Sequence, residues 1–389
     1  MTAPRAERSL GVIHDKLGGM LFNTKPSTLV PHLIATTVSH SPPSTIATST
    51  AFIGPDASQN AFCTLPLDIH KMIFDYLHDV ADLICVGILT SHLWDVTQTI
   101  IQQRYRSLLG LWAGLNIVCA GQEVVAGDYP PALFSPEEVE DLNKQFFLPR
   151  HNPLLDDDEY DDDDNDMRRP YTLYNLSDRP GNRYDRPVDI VNTARKAYSA
   201  CLLRSAAPDY IFRRWLSRSA IYNKFDEICV ENSSFVAMDQ AWILRNLTTK
   251  EIVTSEKIAL DPKFIQGPFV RGIGFGEVVV SRTCWSSTAN TSMSYDGNIH
   301  RGVWAGHCFD ITTRERHDES TKDERGEWKD VSEEVAAEIV AIWESERGPG
   351  WRDVVIERTE KTIVEENEYR PLWRQRNTSD LRRNVRLVF

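Results

Sequence analysis

The side chains best suited by type to do chemistry gather between positions 272 and 317. The glycines of "GIGFGEVVV" (272–280) could let backbone N–H groups approach a bound anion. Their spacing is one residue short of the phosphate-binding G-x-G-x-x-G. "HRG" at 300–302 lacks the acid of a catalytic H-R-D, and no D-F-G follows. A turn feeding a buried strand accounts for these glycines. His300, His307, Cys308 and His317 are metal-ligand types, yet their intervals fit no standard zinc pattern, so no metal is expected. Cys284 or Cys308 could act as a nucleophile only beside a histidine brought close in space, and the sequence offers no motif for that. No catalytic residue and no cofactor are assigned, and the chain is read as a non-enzyme. An enzyme concealed in the C-terminal region is the weakest alternative.

The aromatic residues of the same region suggest recognition instead. Interfaces favour Trp, Tyr and Arg as anchors. Trp285 and Trp304, on Gly-flanked segments beside polar loops, are the candidates for holding a protein substrate.

The elements that would position these residues can be read from pattern. Residues 1–60 are rich in Ser, Thr and Pro and are expected to form a disordered leader. Helical spacing runs from 62 to 108, and a helical connection covers 109–150. In that connection Ser135, Pro136 and Glu138 form a capping box. An acidic and Pro/Arg-rich linker spans 151–187, and 188–389 is expected to be an α+β substrate-recruiting domain. Within it the period shifts towards two. "WILRNL" and "IVTSEKIAL" flank "TTKE" as a hairpin, and "FGEVVVSRTCW" and "GVWAGHCFDI" read as strands. A last helix carries Val335, Ile339 and Ile342 on one face, with Asp330 and Glu333 as its capping pair and Gly348 as its stop. The fold class is therefore α+β, with an antiparallel sheet in the C-terminal domain.

Charge narrows the partners. Nine acids lie in "DDDEYDDDDND" (156–166), and without them the net charge of −13 falls to −4. The chain lacks the basic surface that nucleic acid requires. Seven widely spaced cysteines without a C-x-x-C suggest reduced thiols. There is no apolar signal region and no run of membrane-spanning length, so a cytoplasmic or nuclear setting, away from membranes, is expected.

The most patterned stretch is "LPLDIHKMIFDYLHDVADLICVGILTSHLWDV", from Leu65. Pro66 suits a first helical turn and Asp68 suits its positive end. Apolar residues then recur at helical spacing through three short helices. Gly87 interrupts the second, at a cost of about 1 kcal/mol relative to Ala in a helix interior. A unit of this size rarely hides its own apolar surface, so a partner is expected.

Leu65-Pro66-x-Asp68-Ile69, Ile73, Leu77, Asp82-Leu83, Val86 and Trp94 resemble the F-box, the adaptor-docking motif of ubiquitin-ligase substrate receptors. The resemblance implies that Leu65, Pro66, Ile69, Ile73, Leu77, Leu83, Val86 and Trp94 divide between a small core and a face for a Skp-type adaptor. Through that adaptor the chain would join a cullin ligase and bring a protein substrate to ubiquitin transfer. Asp68 stands where the family more often has Glu, and "LTSHLW" (89–94) lacks the usual Val-Cys/Ser-Arg/Lys run. Later segments, including "HRGVWAGHCFDIT", are similar to the C-terminal regions of uncharacterised fungal F-box proteins. A protein-interaction module acting outside any ligase is the principal alternative.

Overall fold

The computed structural model describes residues 1–10, 17–22, 25–35, 62, 65–87, 91–131, 133–147, 169–179, 181–185, 236–324 and 327–365. The acidic run 156–166, the helical region expected over 188–219 and the basic tail from 369 lie outside the described residues. The chain forms two compact units, each assembled from separated segments. The class is α+β, as the patterning predicts.

One unit comprises 36–111, 188–239 and 355–389. Its described helices include α1 (Leu67–Asp75), α2 (Val80–Gly87) and α3 (Ser91–Leu108). The Pro66 carbonyl accepts from Ile69 N at 3.0 Å and His70 N at 3.2 Å, so proline precedes the first turn rather than sitting within it. α3 packs against both α1 and α2. The shared interior consists of Phe74, Leu83, Ile84, Leu93, Trp94, Val96, Ile100, Ile101 and Tyr105, all buried. Such apolar burial, at roughly 25 cal/mol per Å², is what holds helices this short. α3 stops at Leu108, and the connection expected to be helical from 109 begins as a series of turns.

The other unit comprises Met1–Ala35, Trp112–Pro187 and Gln240–Val354. Its main strands are β1 (Thr2–Ala3), β2 (Arg8–Leu10), β3 (Cys119–Ala120), β4 (Arg183–Asp185), β5 (Trp242–Asn246), β6 (Glu251–Thr254), β7 (Cys284–Trp285), β8 (Phe309–Thr313) and β9 (Lys329–Asp330). Its longer helices are α4 (Pro136–Asn143), α5 (Phe275–Thr283), α6 (Arg314–Thr321) and α7 (Ser332–Arg347). The principal sheet has the order β8-β5-β6-β9. β8 and β6 flank β5 antiparallel, with Ile311 opposite Leu244 and Leu244 opposite Val253, while β9 joins β6 in parallel. The predicted hairpin is therefore present, although its second strand ends at Thr254 and "SEKI" turns into a short helix.

Residues 1–35 differ from the expected leader. β1 and β2 pair with each other, and β2 runs parallel to β4, with Arg8 opposite Arg183. Leu29, Val30, Leu33 and Ile34 are buried. Arg8 grips Asp185 through Nε at 2.7 Å and Nη2 at 2.9 Å, and Trp112 Nε1 donates to the same carboxylate at 2.8 Å. Burial alone would raise the Asp185 pKa; Arg8 and Trp112 outweigh it and hold the group below its ordinary value. These residues are thus part of the α+β unit, whose extent also departs from the expected continuous segment 188–389.

Two further expectations are corrected by local packing. "FGEVVVSRT" forms helix α5, not a strand, with all nine residues buried. "GVWAG" (302–306) is a series of turns ahead of β8. α4 keeps its capping box, in which Glu138 N donates to Ser135 Oγ at 3.2 Å and Ser135 N to Glu138 Oε2 at 2.7 Å. α7 buries Val335, Ile339 and Ile342, and Gly348 ends it with φ at 78°. Its first turn is secured differently from the expected pair, since Asp330 Oδ1 accepts from Ser332 N at 2.9 Å. Among the described residues, no helix is long and apolar enough to cross a membrane.

Candidate docking surface

Helix α1 has two unlike sides. His70 and Phe74 are buried, and His70 Nε2 donates to the Phe62 carbonyl at 2.7 Å. On the other side Ile69, Met72, Ile73 and Tyr76 are 38%, 57%, 37% and 77% exposed. At about 100° per residue these four positions fall within an arc of roughly 100°. Pro66 is exposed at one end of the helix, and Leu65 and Leu77 are half-buried. Leu67, 45% exposed, lies apart from that arc in the first turn. A contiguous apolar stripe of this kind marks a contact surface more often than scattered apolar residues do.

The frame beneath the stripe is held by polar bonds. Arg104, from α3, reaches the C-terminal end of α1. Its Nη1 donates to the Leu77 carbonyl at 2.6 Å and the His78 carbonyl at 3.2 Å, and its Nη2 donates to the Phe74 carbonyl at 3.0 Å. The Phe74 carbonyl also accepts from Leu77 N at 3.0 Å, and the helix end attracts positive charge, so one guanidinium adds donors and charge where the helix finishes. Gly87 is the last described residue of α2, and a Cβ there would stand 2.7 Å from Thr97 Oγ1. The residue that looked costly in the sequence is the one that permits α2 and α3 to touch.

The residues expected at the adaptor face divide accordingly. Pro66, Ile69 and Ile73 are exposed; Leu65, Leu77 and Val86 are half-buried; Leu83 and Trp94 are buried in the three-helix interior. Met72 and Tyr76 belong to the exposed stripe although the motif does not name them. Their helical offset from Ile69 and Ile73 was the available signal.

In the α+β unit, Trp285 and Trp304 are buried, at 8% and 2% exposure, rather than standing in an open groove. Trp285 Nε1 lies 3.2 Å from both the backbone carbonyl and the side-chain Oδ1 of Asp128, and Arg301 stacks on its ring at 4.4 Å. Arg301 Nη1 also donates to Asp128 Oδ1 at 2.6 Å. A shallow hollow of about 370 Å³ opens here, lined by Pro131, Trp285, Arg301, Val303 and His307 among others. Trp304 Nε1 donates to Glu251 Oε2 at 2.8 Å, and Arg282 covers its ring at 4.4 Å.

His307 and His317 each make separate local contacts. His307 Nδ1 lies 2.9 Å from Asn246 Nδ2, and His317 packs edge-on to Trp328. Among the described residues, no three of His, Cys, Asp and Glu are grouped to hold a metal. The glycine series serves packing: a Cβ on Gly276 would stand 2.2 Å from the Pro26 carbonyl oxygen. Gly274 N donates instead to Glu277 Oε2 at 2.9 Å, so the loop's own carboxylate occupies the place of an anion.

No family model matches this chain, and neither a curated protein nor a solved structure matches it.

Proposed function

We propose that this chain is a non-enzymatic substrate receptor of a cullin-type ubiquitin ligase. The stripe on α1 docks a Skp-type adaptor, and the α+β unit holds the protein to be modified. The observation that carries this reading is the exposure of Ile69, Met72, Ile73 and Tyr76 on a helix packed firmly on its other side. Its place directly after Leu65-Pro66, where the F-box resemblance begins, supports the same reading. Tyr76 supplies the large amphipathic side chain that interface centres favour. The receptor would contribute proximity: a tethered substrate meets the transfer enzyme at raised effective concentration, without a reacting group from this chain.

The full chain mixed with a Skp-type adaptor tests the proposal by titration calorimetry and co-elution. Ile73→Asp with Tyr76→Asp is expected to weaken binding about 100-fold or more, the range of two interface hot spots. Adaptor binding that fails to bring a cullin with it points to an interaction module outside any ligase. An intact chain that does not bind the adaptor removes the proposal.

A further inference from the structure

We infer that Cys119 and Cys284 form an oxidisable dithiol, a modification site at which peroxide closes a disulfide between β3 and β7. The inference is independent of adaptor docking, and its test needs no adaptor. The two cysteines stand directly opposite each other in a parallel pair. Neighbouring strands lie about 4.8 Å apart. Disulfides span Cα separations of roughly 4.4–6.8 Å. In-register neighbours also direct their side chains to the same face of the ladder.

The local sulfur chemistry agrees with that placement. Both cysteines are fully buried. Cys119 Sγ lies 3.4 Å from Met20 Sδ, and Cys284 Sγ lies 3.0 Å from the Val280 carbonyl oxygen. The neighbouring Cys284 thiol eases ionisation of Cys119 against the opposing effect of burial, while Cys284 is pushed upward by Cys119 and by burial. Cys119 is therefore the attacking sulfur. Its thiolate takes one oxygen of hydrogen peroxide as the O–O bond breaks, giving a sulfenic acid, and the released hydroxide takes up the thiol proton as water. Cys284 sulfur then attacks Cys119 sulfur. The S–O bond breaks, the departing hydroxide takes the Cys284 proton, and a second water leaves. Two thiols lose two electrons in total and one peroxide gains them. The product is neutral, so no charge is stranded in the interior. In a reducing compartment the dithiol is the resting form.

The test treats the native full-length protein with hydrogen peroxide, then unfolds it, alkylates remaining thiols and digests it without reduction. The expected result is a peptide pair linking Cys119 to Cys284, lost on dithiothreitol treatment. It comes with a higher Tm, since the link closes a long loop of the unfolded chain. Cys119→Ser and Cys284→Ser should each abolish the linked pair. The wild-type mapping decides the matter even if those variants fold poorly. Recovery of Cys119 and Cys284 as alkylated thiols, at a peroxide dose that oxidises half-buried Cys85 and Cys308, would overturn the inference. So would separate sulfinic acids, or a link that forms only after unfolding.

Discussion

Thr97 occupies the space that any side chain at position 87 would require. Its Oγ1, Cβ and Cγ2 lie 2.7, 2.8 and 3.0 Å from the point where a Cβ on Gly87 would stand. Helix propensity alone would have Gly87→Ala stabilise the protein by about 1 kcal/mol. Overpacking costs roughly 1–3 kcal/mol and acts against it. The expected outcome is a net loss, read as a lower urea midpoint. Thr97→Ala removes two of the three crowding atoms, so the Gly87→Ala penalty should shrink in that background, with a coupling of at least about 0.5 kcal/mol. Equal penalties in both backgrounds would contradict the packing described.

The Arg104 fork predicts an asymmetry between two conservative changes. Arg104→Met keeps the apolar stem but takes the guanidinium donor from the carbonyls of Leu77 and His78, and leaves Phe74 only its backbone donor. A loss of about 1–3 kcal/mol is expected. Arg104→Lys should restore only part of it, because an ammonium cannot span the same carbonyls with two planar nitrogens. Full rescue by lysine would show that charge alone secures the helix end.

The two sides of α1 should respond oppositely to substitution. Phe74→Ala removes a fully buried ring and is expected to cost about 3–5 kcal/mol; Leu83→Ala should cost about 2–5 kcal/mol. Met72→Ser and Tyr76→Ser should change stability by no more than about 0.5 kcal/mol. Thermal melts of the four variants provide the check. Unfolding caused by Tyr76→Ser would mean that the stripe is internal.

Glu277 predicts a pH dependence of definite sign. Burial raises its carboxyl pKa from 4.5 to about 7, against the opposing hydrogen bonds from backbone N–H groups. Below pH 4.5 the group is protonated folded and unfolded, and it costs nothing. Between 4.5 and 7 the unfolded chain releases the proton first, so native stability falls as pH rises, then levels off above 7. Glu277→Gln keeps an acceptor for Gly274 N and does not titrate. Its stability relative to wild type should therefore climb by up to about 3 kcal/mol across that window. Parallel denaturation curves from pH 4.5 to 8 would rule this out.

What could be read in advance depended on how locally each feature is determined. The α4 capping box involves Ser135 and Glu138, three residues apart, and the hairpin around "TTKE" is equally local. The exposed stripe followed from helical spacing as well. Spacing could not say which residues faced inward, so Ile69 and Leu83 entered the same candidate set although one is exposed and the other buried. α5 was misread for a related reason. Val278, Val279 and Val280 favour strands by propensity, and a helix buried on every side shows no amphipathic period to correct that impression. The Gly274–Glu277 capping pair is present in the same letters, but Gly274 reads as a turn and Glu277 as part of the strand that follows it. Residues 1–35 were missed because a two- or three-residue strand has no period to detect, and because the partners that order it lie far along the chain.

That distance has its own consequence for how the protein comes into being. Arg8 must wait for Arg183, and Ile34 for Ile311, before either segment has its distant partner. During synthesis the three-helix segment emerges between them while those early strands remain open to chaperones and proteases. Trimming residues 1–35 to obtain a tidier recombinant protein would therefore remove two strands of a three-stranded sheet and several apolar side chains from the interior. The shortened polypeptide should accumulate as insoluble material, although the segment looks dispensable on paper.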